Sequence, residues 1–176
     1  KPWELKSPTI GIGNGGAGGP GLPIALDRDG FGGEAEPLPM VPGVKIIRLI
    51  NHGGQGSVYE GWLPKTGKRV AVKVPRARDG HITERGCAAI RKEAEVLRNL
   101  SHPNVIELKD HGEDAMHHGS LVPYLVLELV EDGLQLDEYA NKHGLDVEGR
   151  VELVIDVCEA VQYINDRGRT HRDLKP

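Results

Sequence analysis

The sequence is poor in aromatic side chains, in cysteine and in basic charge, and each shortage excludes a class of protein. Phe, Trp and Tyr make up 4% of the residues, which leaves few side chains on which nucleic-acid bases could stack. The formal net charge is -4 without a block of Lys and Arg, so we expect no nucleic-acid partner. The two cysteines, Cys87 and Cys158, lie far apart without metal-ligand spacing, which predicts reduced thiols in a cytoplasmic protein.

Long apolar runs are also absent. No stretch approaches the roughly 18 consecutive apolar residues of a transmembrane helix, so we expect no membrane segment in this chain. Residues 1–43 instead contain 11 of the 24 glycines and 7 of the 12 prolines, which predicts a disordered leader. This leader includes a GxGxxG pattern at residues 11–16, but no strand precedes it and prolines follow it, so we assign it no function.

From Val44 onward, apolar periodicity predicts regular structure. Runs of β-branched residues favour strands, and apolar residues that recur every three or four positions favour helices. The prediction is an α+β fold with five strands and a helix inserted after the third strand. The predicted strands are 44–50, 57–62, 69–75, 105–110 and 121–130, with a polar loop at 111–120; the predicted helices are 83–100, 134–142 and 146–166.

Two opposite charges interrupt apolar faces of adjacent predicted elements. Strand alternation places Lys73 beside Ala71, on the face opposite three valines of the third strand. At 100° per residue, Glu93 lies on the apolar face of the following helix, close to Ile90. Burying either charge alone would cost several kcal/mol, so we predict that Lys73 and Glu93 form an ion pair. A lysine that reaches solvent beside a peripheral glutamate is the alternative.

Two further motifs carry chemical information. Between the first two strands lies a glycine-rich hairpin whose backbone amides can approach an anionic group closely. After the long helix comes His171-Arg172-Asp173-Leu174-Lys175-Pro176, in which a carboxylate precedes a cation by two residues; this suits orienting a hydroxyl while a phosphate is held. The hairpin consists of Ile50, Asn51, His52, Gly53, Gly54, Gln55, Gly56, Ser57 and Val58.

In order and spacing, these motifs resemble those of the eukaryotic-like serine/threonine protein kinase family over residues 44–176. The resemblance implies a five-stranded antiparallel N-lobe sheet with helix C, and a hinge, over residues 44–130. It implies helices D and E and a partial catalytic loop of the C-lobe over residues 131–176. The apolar stripe on the last helix would then be covered by the rest of that lobe; it consists of Val147, Val151, Val154, Cys158 and Val161.

The resemblance also implies roles for the charged residues. Lys73 would hold the α and β phosphates of ATP, and Glu93 would orient Lys73. Asp173 would be the catalytic base, and Lys175 would meet the γ phosphate. The ligands of Mg²⁺ would lie beyond residue 176, because the sequence stops before the catalytic-loop asparagine and the Asp-Phe-Gly segment. We therefore expect a fragment of a longer domain that is inactive alone, and no metal ligand in this chain.

The nucleotide site follows from the same resemblance. Ile50, Val58 and Ala71 would form the roof over adenine, and the hairpin would cover the phosphates. Leu127 would be the gatekeeper, and the backbones of Glu128 and Val130 would bond the base. Two departures from the family pattern stand in the hairpin, since Asn51 occupies the place of the first glycine and Gln55 that of an aromatic or small residue.

The function implied is transfer of the ATP γ phosphate to serine or threonine hydroxyls of a protein substrate. Two alternatives stay open. A pseudokinase or nucleotide-binding regulatory scaffold is disfavoured by the retained Lys73, Glu93 and Asp173. A small-molecule kinase of related fold is disfavoured by the Leu174-Lys175-Pro176 that follows the aspartate.

Overall fold

The structure is a computed structural model that describes residues 37–53, 56–130 and 133–169. The described chain forms five strands and three helices, with the first helix between the third and fourth strands. In chain order these are β1 (Lys45–His52), β2 (Gly56–Leu63), β3 (Lys68–Pro75), α1 (Glu84–Leu97), β4 (Leu108–His117), β5 (Ser120–Glu128), α2 (Leu136–Lys142) and α3 (Val147–Asn165).

The five strands form one antiparallel sheet in the order β1-β2-β3-β5-β4. Residues with positive φ lie in two of the connections between neighbouring strands: Gly67 between β2 and β3, and His118 with Gly119 between β4 and β5. Because α1 intervenes, β3 pairs with β5 rather than with β4. The predicted α+β fold with a five-stranded antiparallel sheet is therefore confirmed.

The alternation of β3 separates two cores on the two faces of the sheet. Val70, Val72 and Val74 are buried on one face, within a cluster that includes Tyr59 and Tyr124. Ala71 lies on the other face, within a cluster that α1 covers through Ile90, Ala94 and Leu97, packed against Leu125 and Leu127 of β5. The strand that carries Lys73 is therefore fixed by apolar packing on both sides.

Helix α1 begins at an N-cap that satisfies one of its free amides. The Thr83 hydroxyl oxygen accepts a hydrogen bond from the Gly86 N–H at 3.2 Å. The helix ends at Leu97, three residues before the predicted end, and Leu100 packs instead with Val105 and the side of α3. The buried residues recur every three or four positions, so one face of α1 lies on the sheet.

Helix α3 is present as predicted, but a different face contacts the rest of the chain. Its buried residues are Leu153, Ala160 and Ile164, of which the last two pack against Leu100 and Val105. The predicted apolar stripe is largely exposed: Val147, Val151 and Val154 face solvent and Cys158 is exposed, while Val161 is half-buried. The stripe therefore does not form the contact between α3 and the described chain, and its covering by the rest of the lobe stays a prediction.

Two other boundaries differ from the prediction. The polar loop expected at 111–120 is wrong, because β4 continues to His117 and only His118 and Gly119 form the turn. At the start, Met40 exchanges two 2.8 Å backbone hydrogen bonds with Met116 of β4, and Val41 is buried. Backbone pairing thus begins before Val44, since the edge of β4 offers backbone partners to the preceding residues. Residues 1–36 of the predicted leader lie outside the described residues.

Candidate active site

An ion pair between β3 and α1 is the centre of the candidate site. The Lys73 ammonium donates to both carboxylate oxygens of Glu93, with Nζ 2.9 Å from Oε1 and 2.6 Å from Oε2. The two side chains are 17% and 11% exposed, so most of the pair is shielded from water. The face of α1 that contains Ile90 and Ala94 packs on the sheet, and this packing directs Glu93 toward the sheet. The predicted pair is therefore present, and it leaves a positioned cation beside the glycine-rich hairpin.

The base of that hairpin packs directly on Lys73. His52 and Ser57 are paired across it, with Nδ1 3.0 Å from Oγ, and the Gly53 N–H donates to the Gly56 carbonyl at 2.8 Å. A Cβ at Gly56 would lie 2.7 Å from the Val74 carbonyl oxygen and 3.3 Å from two carbons of the Lys73 side chain, so a larger residue would force a shift at this position. Gly54 and Gln55 at the tip lie outside the described residues, and Asn51 is an exposed residue of β1.

Most of the predicted adenine site forms one apolar surface. Val58, Ala71 and Leu127 belong to the cluster under α1, and Ala71 pairs with Leu127 across β3 and β5. Ile50 is not grouped with them; it lies half-buried at a register shift of β1. The surface is therefore made of small and branched side chains on the same face of the sheet as Lys73.

The predicted hinge begins where β5 ends. The Glu128 N–H donates to the Glu107 carbonyl at 3.0 Å, and the Glu128 carboxylate accepts from the Glu107 N–H at 3.1 Å. These bonds fix the end of β5 against the residue that precedes β4. They also occupy the Glu128 N–H, which is therefore not free to bond a ligand. Val130 follows, 39% exposed.

The two predicted catalytic-loop residues, Asp173 and Lys175, lie outside the described residues. The described chain leads toward them through α3, which ends at Asn165, and the Arg169 N–H still bonds to the Ile164 carbonyl at 3.2 Å. The roles of both residues stay predictions.

Sequence reasoning missed two charged groups near the site. Glu60 of β2 is buried on the Ala71 face and accepts from Arg48 at 2.8 Å and from Arg69 at 2.7 Å. Arg91 of α1 contacts Glu113 of β4. Hydrogen bonds to Glu113 and to Glu84 of its own helix raise the pKa of Arg91 above its ordinary value. A cross-strand pairing of opposite charges could have indicated the first group, but the second depends on the part of β4 that was predicted as a loop.

Comparison with known proteins supports the same reading. A family model described as "Protein kinase domain" matches residues 44–176. The probable serine/threonine-protein kinase PknB of Lactococcus lactis is 34% identical over 134 residues, covering 75% of this chain and 20% of the relative. The serine/threonine-protein kinase PknA of Mycobacterium tuberculosis is 34% identical over 136 residues, covering 75% of this chain and 30% of the relative.

A relative from an animal covers less of the chain. Calcium/calmodulin-dependent protein kinase type 1 of Macrobrachium nipponense is 39% identical over 88 residues, covering 50% of this chain and 24% of the relative. The chain thus spans less than a third of the length of each of these three relatives. The family model nevertheless matches well over half of this chain, so the chain belongs to the protein kinase family.

Proposed function

We propose that the protein transfers the γ phosphate of ATP to serine or threonine hydroxyl groups of protein substrates. The observation that carries this proposal is the Lys73–Glu93 ion pair, held beneath the glycine-rich hairpin by the packing of α1 on the sheet. A shielded cation that is already oriented needs no reorganisation when a phosphate arrives, which is what electrostatic catalysis requires.

In this proposal Lys73 binds the α and β phosphates, and Glu93 holds the ammonium in place. The Gly56 backbone lies against the Lys73 side chain, so the hairpin can bring its amides to the same phosphates. Among residues 37–53, 56–130 and 133–169, no group of three acidic, His or Cys side chains could hold a metal ion. We propose that the Mg²⁺ that accompanies ATP is held by the catalytic-loop asparagine and the Asp-Phe-Gly aspartate, which the resemblance to protein kinases implies beyond residue 176.

The adenine ring would lie under Val58 and Ala71, with Leu127 at the back. Ala71 is the small residue of this surface, which leaves room for a flat ring. Because the Glu128 N–H is bonded to Glu107, we assign the hinge bonds to the Glu128 carbonyl and to the backbone of Val130. We propose Ile50 as a further roof residue that a nucleotide contacts from β1.

Phosphoryl transfer also needs a group that orients the hydroxyl and one that holds the γ phosphate. The motif at 171–176 assigns these roles to Asp173 and Lys175. We place the reaction in the cytoplasm, where ATP is available; the two thiols, Cys87 and Cys158, form no disulfide in the structure. Within the described part of the chain, no helix combines the length and apolarity needed to cross a bilayer.

The test is phosphotransfer by the intact protein, measured with labelled ATP and a protein substrate rich in serine and threonine. Lys73→Met and Asp173→Asn should each lower kcat by about 100-fold or more, because each removes a group that acts on the reacting phosphate or hydroxyl. Lys92→Met is the matched control, since Lys92 is exposed on the same helix as Glu93. A protein that binds ATP but transfers no phosphate would instead support a regulatory scaffold.

A further inference from the structure

A forked contact joins the outer part of α1 to β4. The Arg91 Nε donates to both carboxylate oxygens of Glu113, at 3.1 and 3.0 Å, and Nη2 lies 3.0 Å from Oε2. The other end of the same guanidinium, Nη1, donates to Glu84 at 2.8 Å. One rigid planar group is thus held by two carboxylates, one on the sheet and one on its own helix, which fixes its orientation.

A β-bulge places Glu113 where Arg91 can reach it. Gly112 pairs with Tyr124 and Ala115 pairs with Val122, so two residues of β4, Glu113 and Asp114, stand opposite the single Pro123 of β5. Proline has no N–H to donate, so the regular ladder is interrupted there at little cost. Bulges of this kind re-aim side chains. Gly112 and Ala115 both face the valine side of the sheet, and Glu113 reaches the helix side.

Arg91 and Glu93 lie on opposite flanks of the buried face of α1. Taking Ile90 as the centre of that face, Arg91 lies about 100° to one side and Glu93 about 60° to the other. Glu93 binds Lys73 on β3, whereas Arg91 binds Glu113 on β4. A rotation of α1 that carries Glu93 away from Lys73 would therefore drive the Arg91 guanidinium toward the apolar surface of the sheet and away from its fork.

We infer that Arg91 is a positioning residue. Its hydrogen bonds to Glu113 fix the rotation of α1 at which Glu93 contacts Lys73. The inference rests on the proposed phosphotransfer for its kinetic consequence, but its structural consequence stands separately. Arg91 and Glu113 are 43% and 59% exposed, so the pair adds little to global stability. It acts instead on the small free-energy difference between two positions of one helix, where a weak contact changes the population of the competent state.

The experiment compares variants of the intact protein. Arg91→Gln and Glu113→Gln should each lower kcat/KM for ATP by about three- to tenfold, and the exchanged pair Arg91→Glu with Glu113→Arg should restore part of the loss. Arg85→Gln is the matched control, because it removes an exposed arginine from the same helix. Arg91→Gln should unfold at the same denaturant concentration as this control.

A double-mutant cycle shows whether Arg91 acts through Glu93. Once Glu93→Gln has removed the ion pair with Lys73, adding Arg91→Gln should cause no further loss of activity. Additive losses of activity, or an Arg91→Gln variant with the same kcat/KM for ATP as Arg85→Gln, would overturn the inference. If the wild-type protein transfers no phosphate, the proposed function fails, and hydrogen exchange then decides the inference: the amides of α1 should exchange faster in Arg91→Gln than in Arg85→Gln, and equal rates would refute it.

Discussion

Replacing Gly56 by alanine tests how the glycine-rich hairpin is held over the candidate site. A Cβ there would lie 2.7 Å from the Val74 carbonyl oxygen and 3.3 Å from Cγ and Cε of Lys73. Gly56 is not among the glycines with positive φ, so the expected effect is steric rather than conformational. The first neighbour is backbone, which cannot rotate away, so β2 must shift against β3. Overpacking of this kind costs about 1–3 kcal/mol of unfolding free energy.

The same shift should reach the chemistry, because the Lys73 side chain is the second neighbour. If the displaced ammonium loses one charge-assisted hydrogen bond to the ATP phosphates, the loss is about 1.5 kcal/mol, which corresponds to about tenfold weaker binding of ATP. Denaturant unfolding and the KM for ATP, both measured on the intact protein, give the two magnitudes. The matched control is Gly149→Ala in α3, where the new Cβ meets its neighbours at 3.4 to 3.5 Å.

In a helix and without a clash, alanine is favoured over glycine, so Gly149→Ala should raise the unfolding free energy by about 0.5–1 kcal/mol. Both substitutions replace glycine by alanine, but they should change the unfolding free energy in opposite directions. If Gly56→Ala were as stable as the wild type and bound ATP as tightly, the hairpin would not pack on Lys73 as described, and the steric reasoning would be refuted.

Three further predictions concern packing within the 176-residue chain itself, without the rest of the predicted lobe. Ile90→Ala should lower the unfolding free energy by about 2–5 kcal/mol, since Ile90 is fully buried. Val151→Ala on the exposed face of α3 should change the unfolding free energy by less than about 0.5 kcal/mol. Equal effects of the two substitutions would contradict the assignment of Ile90 to the core. Burial, and then the nearby Glu84, raise the pKa of the Cys87 thiol, so iodoacetamide at pH 8 should alkylate the exposed Cys158 first, as mass spectrometry would show. Asp146→Ala should cost about 1 kcal/mol on denaturant unfolding by removing the 2.9 Å bond to the Gly149 N–H.

The parts of the fold that the sequence predicted are those in which local pattern and tertiary packing agree. The three valines of β3 alternate with Ala71 and Lys73, and each set faces a different core, so the period of two was informative. Ile90, Ala94 and Leu97 likewise gave α1 its correct face. The Lys73–Glu93 pair followed because a charge on an apolar face needs a partner, and the adjacent element offered one.

Where the prediction was wrong, non-local packing decided the outcome. The bulge at Glu113 and Asp114 shifts the alternation of β4 by one residue, so a period of two fails across the segment and it looks like a loop. In α3, the contact of Ala160 and Ile164 with Leu100 and Val105 was not predicted, because it depends on residues that follow α1. Met40 forms backbone hydrogen bonds with Met116 at the edge of β4, and no sequence pattern around residue 40 predicts this pairing.

The bulge in β4, which the sequence did not predict, helps to position the residues that the sequence motifs identify. Lys73 and Glu93 bear the chemistry, and their residue types and neighbours are enough to identify them. Their relative position, however, depends on how α1 is rotated about its axis, and an apolar stripe about 100° wide does not by itself specify that rotation. Charges on the flanks of the stripe remove that freedom, as Glu93 does toward β3 and Arg91 toward β4. The sheet irregularity that brings Glu113 under Arg91 is therefore part of the positioning of the site, although it lies outside every motif that identifies it.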